Sequence, residues 1–198
     1  MLPAIPSINQ CLDFIEHFKM LDNIRAHSFK VARVAELLVD GLAEAGRSAA
    51  PHPSKELVIA GALLHDIAKT ECLNGKCRHD VLGQELCTSL GFPEIGEIVK
   101  EHVILKEFTG ELYQNGQFEA KEIVYYADKR VRHDEVVSLK SRLQYIIDRY
   151  GNNEPKREDH IRMNFKQCQD LEIYLFTFLD FTPGQVAQLI SKELFYKV

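Results

Sequence analysis

Apolar residues recur at steps of three or four through almost every segment of this chain, and that spacing commits it to helices. Ser7 and Gln10 form a capping box, after which Ile8, Leu12, Ile15 and Phe18 share one face. A second helix runs from about Asp22 to Ala45, with Ile24, His27, Val31, Val34, Leu38 and Leu42 on its inner stripe and Gly46 as its stop. The break Ala50-Pro51-His52-Pro53 follows. Ser54 then caps a strongly apolar helix carrying Leu57, Ala60, Leu63, Leu64 and Ile67, which belongs at the centre of the fold.

Shorter helices are expected near Asp80 to Leu90 and Glu94 to Leu105, divided by Gly91 and Pro93. From Glu107 to Ala120 the pattern changes, because Asn115-Gly116 between short apolar flanks signals a two-residue hairpin turn. Helices resume near Glu119 to Val131 and Asp134 to Tyr150, and Gly151 to Pro155 reads as a loop. A long helix carries Phe165, Cys168, Leu171, Leu175 and Phe178. The last starts on Thr182, Pro183 and Gln185 and continues through Val186, Leu189, Ile190 and Leu194. The expectation is an all-α bundle with a loop or small hairpin near 110–119. It forms one domain over residues 1–198, whose part after about 134 is a helical C-terminal extension.

With 198 residues, 45% of them apolar, the chain can bury a full core. Its net charge of −5 is spread over well-mixed acids and bases, which speaks against an extended nucleic-acid surface and for a small substrate. The first residues lack the basic start and apolar stretch of a signal peptide, and no apolar run nears the roughly 20 residues that span a bilayer. A cytoplasmic protein with no membrane partner is expected, with homodimerisation left open. The five cysteines form no CxxC pair, and their odd number argues for reduced thiols. Cys72 and Cys77 are too loosely spaced to favour a zinc knuckle.

Histidines and aspartates fall where such helices turn inward. His27 lies on an apolar stripe, where a hydrogen-bonded core histidine is the plain alternative to a functional one. His65 and Asp66 sit side by side near the end of the most apolar helix, in Leu63-Leu64-His65-Asp66-Ile67-Ala68-Lys69. A buried carboxylate beside a buried imidazole needs compensation, which either their own hydrogen bond or a divalent cation supplies. Asp128 ends another apolar stretch, and pairing with Arg132 four residues on is its ordinary reading.

Taken together, His27, the His65-Asp66 doublet and Asp128 resemble the H…HD…D signature of HD-domain metal-dependent phosphohydrolases. The text around His65 looks like the HDIG variant, with Ala68, placed within a helix, where glycine is usual. The resemblance covers roughly His27 to Arg132 and implies an HD core over about 20–132. His79, opening a segment with the step Gly83-Gln84-Glu85, and His102, late in the next helix, match the extra histidines of two-metal HD proteins. By resemblance, then, His27, His65, Asp66 and Asp128 hold one ion, and His79 and His102 hold a second, with Asp66 bridging.

Mixed imidazole and carboxylate donors suit two divalent transition metals, Fe or Mn first, with Ni, Co or Zn compatible. The implied chemistry is hydrolysis of a phosphomonoester or phosphodiester, a nucleotide above all, by a metal-activated hydroxide in which Asp66 and Lys69 act as catalytic residues. Lys69, Arg130 and Arg132 are the candidates for binding the substrate phosphate, although a lysine after a helix end also satisfies carbonyls. The hairpin expected between Glu107 and Ala120 would reach over the site as a lid or specificity loop, with Tyr113 and Phe118 either packing on the surface, the ordinary role, or stacking on a base. The remaining histidines, His17, His52, His133 and His160, read as surface residues. Two rivals share the ligands: a di-iron oxygenase, and a nucleotide-binding sensor without turnover.

Overall fold

In a computed structural model of the protein, residues 5–47 and 51–190 are described. Ten α-helices and one two-stranded sheet make up the described residues. The Ser7 hydroxyl accepts from the Gln10 backbone N–H to start α1 (Ile8–His17), and α2 (Asp22–Ala45) ends on Gly46, whose φ of 59° is the left-handed stop that glycine adopts without strain. The Ser54 hydroxyl caps α3 (Lys55–Leu64) by accepting from the Leu57 N–H at 3.2 Å. Leu57 to Leu64 are all buried, so α3 is the central rod of the bundle. It packs against α1, α2, α5 (Pro93–Glu101) and α7 (Ala120–Lys129).

The helix α4 (His79–Ser89) lies closely along α5. A Cβ on Gly83 would come within 2.6 Å of Val99 Cγ1, and one on Gly96 within 2.9 Å of the Gln84 carbonyl. Two glycines therefore set the spacing of this pair. A disulfide joins Cys72 to Cys77 across the 3-10 turn Glu71–Asn74, while Cys11, Cys87 and Cys168 are buried thiols. The expectation of five reduced thiols is corrected at that pair.

The hairpin expected near 110–119 is absent from that position. Asn115-Gly116 instead terminates a short helix, α6 (Gly110–Gln114). Gly116, at φ 75°, donates to the Tyr113 carbonyl, and Gln117 donates back to Leu112, which is the Schellman pattern of a helix stop. The same dipeptide supplies positive φ in either setting. Tyr113 and Phe118 are buried and stacked on one another, 5.5 Å between ring centroids, so neither is free to meet a base.

A hairpin does exist, at β1 (Val131–Arg132) and β2 (Glu135–Val136), joined through His133 at φ 56° and Asp134. It replaces the helix continuations expected on both sides of His133. The C-terminal part consists of α8 (Leu139–Tyr150), the long α9 (Pro155–Thr177), and a 3-10 turn Pro183–Gln185 running into α10 (Val186–Leu189). Leu194 and Ala50 lie outside the described residues. Among those described, no helix is long and apolar enough to cross a membrane.

Candidate metal centre

The chain leaves α3 at Leu64 through a tight turn, closed by Ile67 N–H to Leu64 and Lys69 N–H to Asp66. His65, Asp66, Ala68 and Lys69 all stand in this turn rather than within the helix. His65 is fully buried and Asp66 is 1% exposed. Around Asp66 gather His27 from the second turn of α2, His79 from the start of α4, His102 from the end of α5 and Asp128 from the last turn of α7.

The two carboxylate oxygens of Asp66 face different neighbours. Oδ2 lies 3.4 Å from His65 Nε2 and 4.0 Å from His27 Nε2, and Asp128 Oδ1 closes that group at 2.9 Å from His27 and 3.7 Å from His65. Oδ1 lies 3.4 Å from His79 Nε2 and 3.5 Å from His102 Nε2, and these two nitrogens face each other across 3.3 Å. Two clusters able to hold a metal ion, His27–His65–Asp66 and Asp66–His79–His102, thus share one carboxylate.

Backbone carbonyls orient three of the rings. His27 Nδ1 lies 2.9 Å from the His133 carbonyl, His65 Nδ1 lies 2.7 Å from that of Ala62, and His102 Nδ1 lies 2.6 Å from that of Val99. A carbonyl only accepts, so each Nδ1 carries a proton, and in the neutral form of the ring each Nε2 turns a lone pair into the centre. Those lone pairs meet two carboxylates, so acceptors face acceptors among largely buried side chains. His65 Nε2 and Asp66 Oδ1 have no hydrogen-bond partner. Such a donor set fits divalent transition-metal ions, and a cation removes the mismatch.

The charge states follow the same geometry. Burial pushes the pKa of His27 down, and that of His79 down to about 4. Burial opposes charging at His65 too, but the adjoining Asp66 and Asp128 outweigh it and raise its pKa. Burial also works against ionising Asp66, yet Lys69 and His65 hold it well below the usual carboxylate range; at Asp128, His27, Lys129 and Arg142 likewise overcome burial.

The other expected site residues separate. Lys69 reaches the centre, its Nζ 2.6 Å from Asp66 Oδ2. Arg130 does not: its buried guanidinium donates to the Val137 and Pro183 carbonyls and to Tyr126, and pairs with Glu172 at 3.3 Å. Arg132 pairs with Glu135 at 3.3 Å across the hairpin, rather than with Asp128 or with a substrate pocket. Sequence reasoning passed over Arg142, which is buried beside Asp128, and the exposed His133, whose carbonyl orients His27. It also passed over α9, whose Asn164 and Gln167 donate to the Val103 and Leu105 carbonyls and so hold the chain just past His102. From α7, Lys129 donates to the carbonyls of His102 and Val103.

Comparison with known proteins agrees with this architecture. The HD domain family matches over residues 24–151, which takes in every residue of the centre and continues past Arg132 through α8. The chain belongs to the HD domain family, and so to a family of metal-binding domains that are generally hydrolases. A tRNA (cytidine(56)-2'-O)-methyltransferase of Picrophilus torridus is 30% identical over 162 residues, 77% of this chain. The alignment covers 43% of that protein, so the chain spans less than half of this relative's length. No solved structure matches the chain.

Proposed function

We propose that the protein is a two-metal phosphohydrolase that cleaves a phosphomonoester or phosphodiester of a small substrate, with nucleotides as the substrate class. One observation carries the reading: Asp66 turns Oδ2 towards His27 and His65 and Oδ1 towards His79 and His102. His27, His65, Asp66 and Asp128 would hold one ion, and Asp66, His79 and His102 the other. Fe or Mn fit the mixed donors, and Ni, Co and Zn are compatible. Ions held there supply Lewis acidity towards a phosphoryl oxygen and make a water acidic enough to serve as hydroxide.

The chain's own groups do the rest. Asp66 holds both halves of the centre in register. Lys69, with a side chain about a third exposed, would set its ammonium against the charge that develops on a transferring phosphoryl group. The methyl transfer named for the relative is not carried over, since most of that protein has no counterpart here.

The test is metal analysis of anaerobically purified protein followed by a phosphate-release screen across nucleotides. Two equivalents of metal and phosphate release, both abolished in Asp66→Asn, are the expected result. Full activity in that variant overturns the reading. Oxygen consumption without phosphate release also overturns it, in favour of the oxygenase chemistry that the same ligands allow.

A further inference from the structure

Arg142, on the inner face of α8, stands beside the centre without being used up by it. Its side chain is 10% exposed, and its Nη2 lies 3.9 Å from Asp128 Oδ1, the same oxygen that faces His27 and His65. That separation is beyond hydrogen-bond length. Its Nε is buried with no hydrogen-bond partner. The guanidinium carbon lies 5.3 Å from the centre of the Tyr145 ring, which steadies the group. A guanidinium carries five donors in a planar fork, and burying one with a donor unpaired is costly unless something arrives to accept.

Lys69 stands at the other carboxylate of the centre, its Nζ 2.6 Å from Asp66 Oδ2. One cation from α8 and one from the turn after α3 therefore lie beside the two carboxylates of the centre, while a third, Lys129, is spent on the His102 and Val103 carbonyls. Both nearby carboxylates already face histidines. A fork with an unpaired edge matches two oxygens of a phosphoryl group, whereas an ammonium acts as a point charge.

We propose that Arg142 and Lys69 form a clamp for a phosphoryl group of the substrate, with Arg142 donating through Nε and one Nη in parallel and Lys69 supplying a second, undirected charge. The assignment rests on the phosphohydrolase reading above. It gives the anion-binding role to Arg142 in place of Arg130 and Arg132, which are engaged elsewhere.

The competing role for Arg142 is a tether that holds α8 to Asp128, and the two roles separate by readout. Binding of inorganic phosphate to the metal-loaded protein is measured by calorimetry for wild type, Arg142→Gln and Arg142→Lys, alongside metal content and melting temperature. The clamp predicts that Arg142→Gln keeps both metals but binds phosphate about 10–100-fold more weakly, the range for charge-assisted hydrogen bonds, and that Arg142→Lys recovers only part of the loss. Phosphate affinity equal to wild type in metal-replete Arg142→Gln overturns the clamp and leaves the metal centre standing. Loss of metal in both variants assigns the tether and overturns the clamp as well. If Arg142→Gln does not fold, Arg142→Lys decides: unchanged phosphate affinity overturns the clamp and weakened affinity with metal retained supports it. Wild type that neither binds phosphate nor releases it from any ester overturns the hydrolase reading, and the clamp with it.

Discussion

Replacing Gly83 by alanine should remove one half of the metal centre and spare the other. A Cβ at that position would lie 2.6 Å from Val99 Cγ1. Carbon atoms in contact prefer about 3.5 Å, so α4 and α5 must part by about 1 Å. Val99 cannot swing aside, because it is fully buried and its branched side chain has essentially one rotamer in a helix. Packing is equally tight a turn away, where a Cβ on Gly96 would lie 2.9 Å from the Gln84 carbonyl. His79 opens α4 and His102 follows α5, and their Nε2 atoms lie 3.4 and 3.5 Å from Asp66 Oδ1. Metal–ligand distances tolerate errors of about 0.2 Å, so a shift several times larger disables that cluster. Overpacking of this kind costs about 1–3 kcal/mol, which a folded domain survives. Metal analysis after dialysis against a weak chelator should show two equivalents in wild type and one in Gly83→Ala, with hydrolysis down about 100-fold, as a misplacement of about 1 Å can cause. Two equivalents held with wild-type affinity in Gly83→Ala would refute the reasoning.

Three further outcomes are expected. Adding a metal to 100 times its Kd should stabilise the stripped protein by about 2.7 kcal/mol and raise its melting temperature by roughly 5–11 °C in calorimetry, and no shift would count against a preformed site. Arg130→Met should cost about 3 kcal/mol, the low end for breaking a buried pair because Glu172 is partly exposed, while leaving KM for substrate unchanged; Arg132→Ala should change stability by under about 0.5 kcal/mol. Alkylation of the unfolded, unreduced protein should label Cys11, Cys87 and Cys168 but not Cys72 or Cys77, and reduction should lower stability by about 2 kcal/mol, the loop-closure value for so short a ring.

What was legible in the sequence was whatever repeats with the helical period. The inner stripe of α2 puts His27 inward, and the apolar run of α3 delivers His65 and Asp66 to the core. Hairpins were misread because their local signals are ambiguous. Asn115-Gly116 offers the positive φ that a hairpin turn and a helix stop both require, and the partner that decides between them, the Leu112 carbonyl, is a matter of backbone geometry. The true hairpin has strands of two residues, too short to show alternation, around a His133-Asp134 turn. Arg130 was misplaced because proximity in sequence to Asp128 says nothing about direction: one turn of helix end points Asp128 into the centre and Arg130 towards Glu172. Arg142 could have been noticed as a charge among the inward positions of α8, but only the folded chain brings it against Asp128.

The supports lent by α9 bear on how portable this HD domain is. The family match ends at 151, yet Asn164 and Gln167 hold the strip after His102, Asn164 accepts from Tyr125, and Glu172 anchors Tyr126 and Arg130. A segment cut at the family boundary and grafted onto another protein would carry every residue of the centre but not the struts behind two of its helices. For this chain the transplantable piece is longer than the recognisable one, and its proper end lies beyond α9.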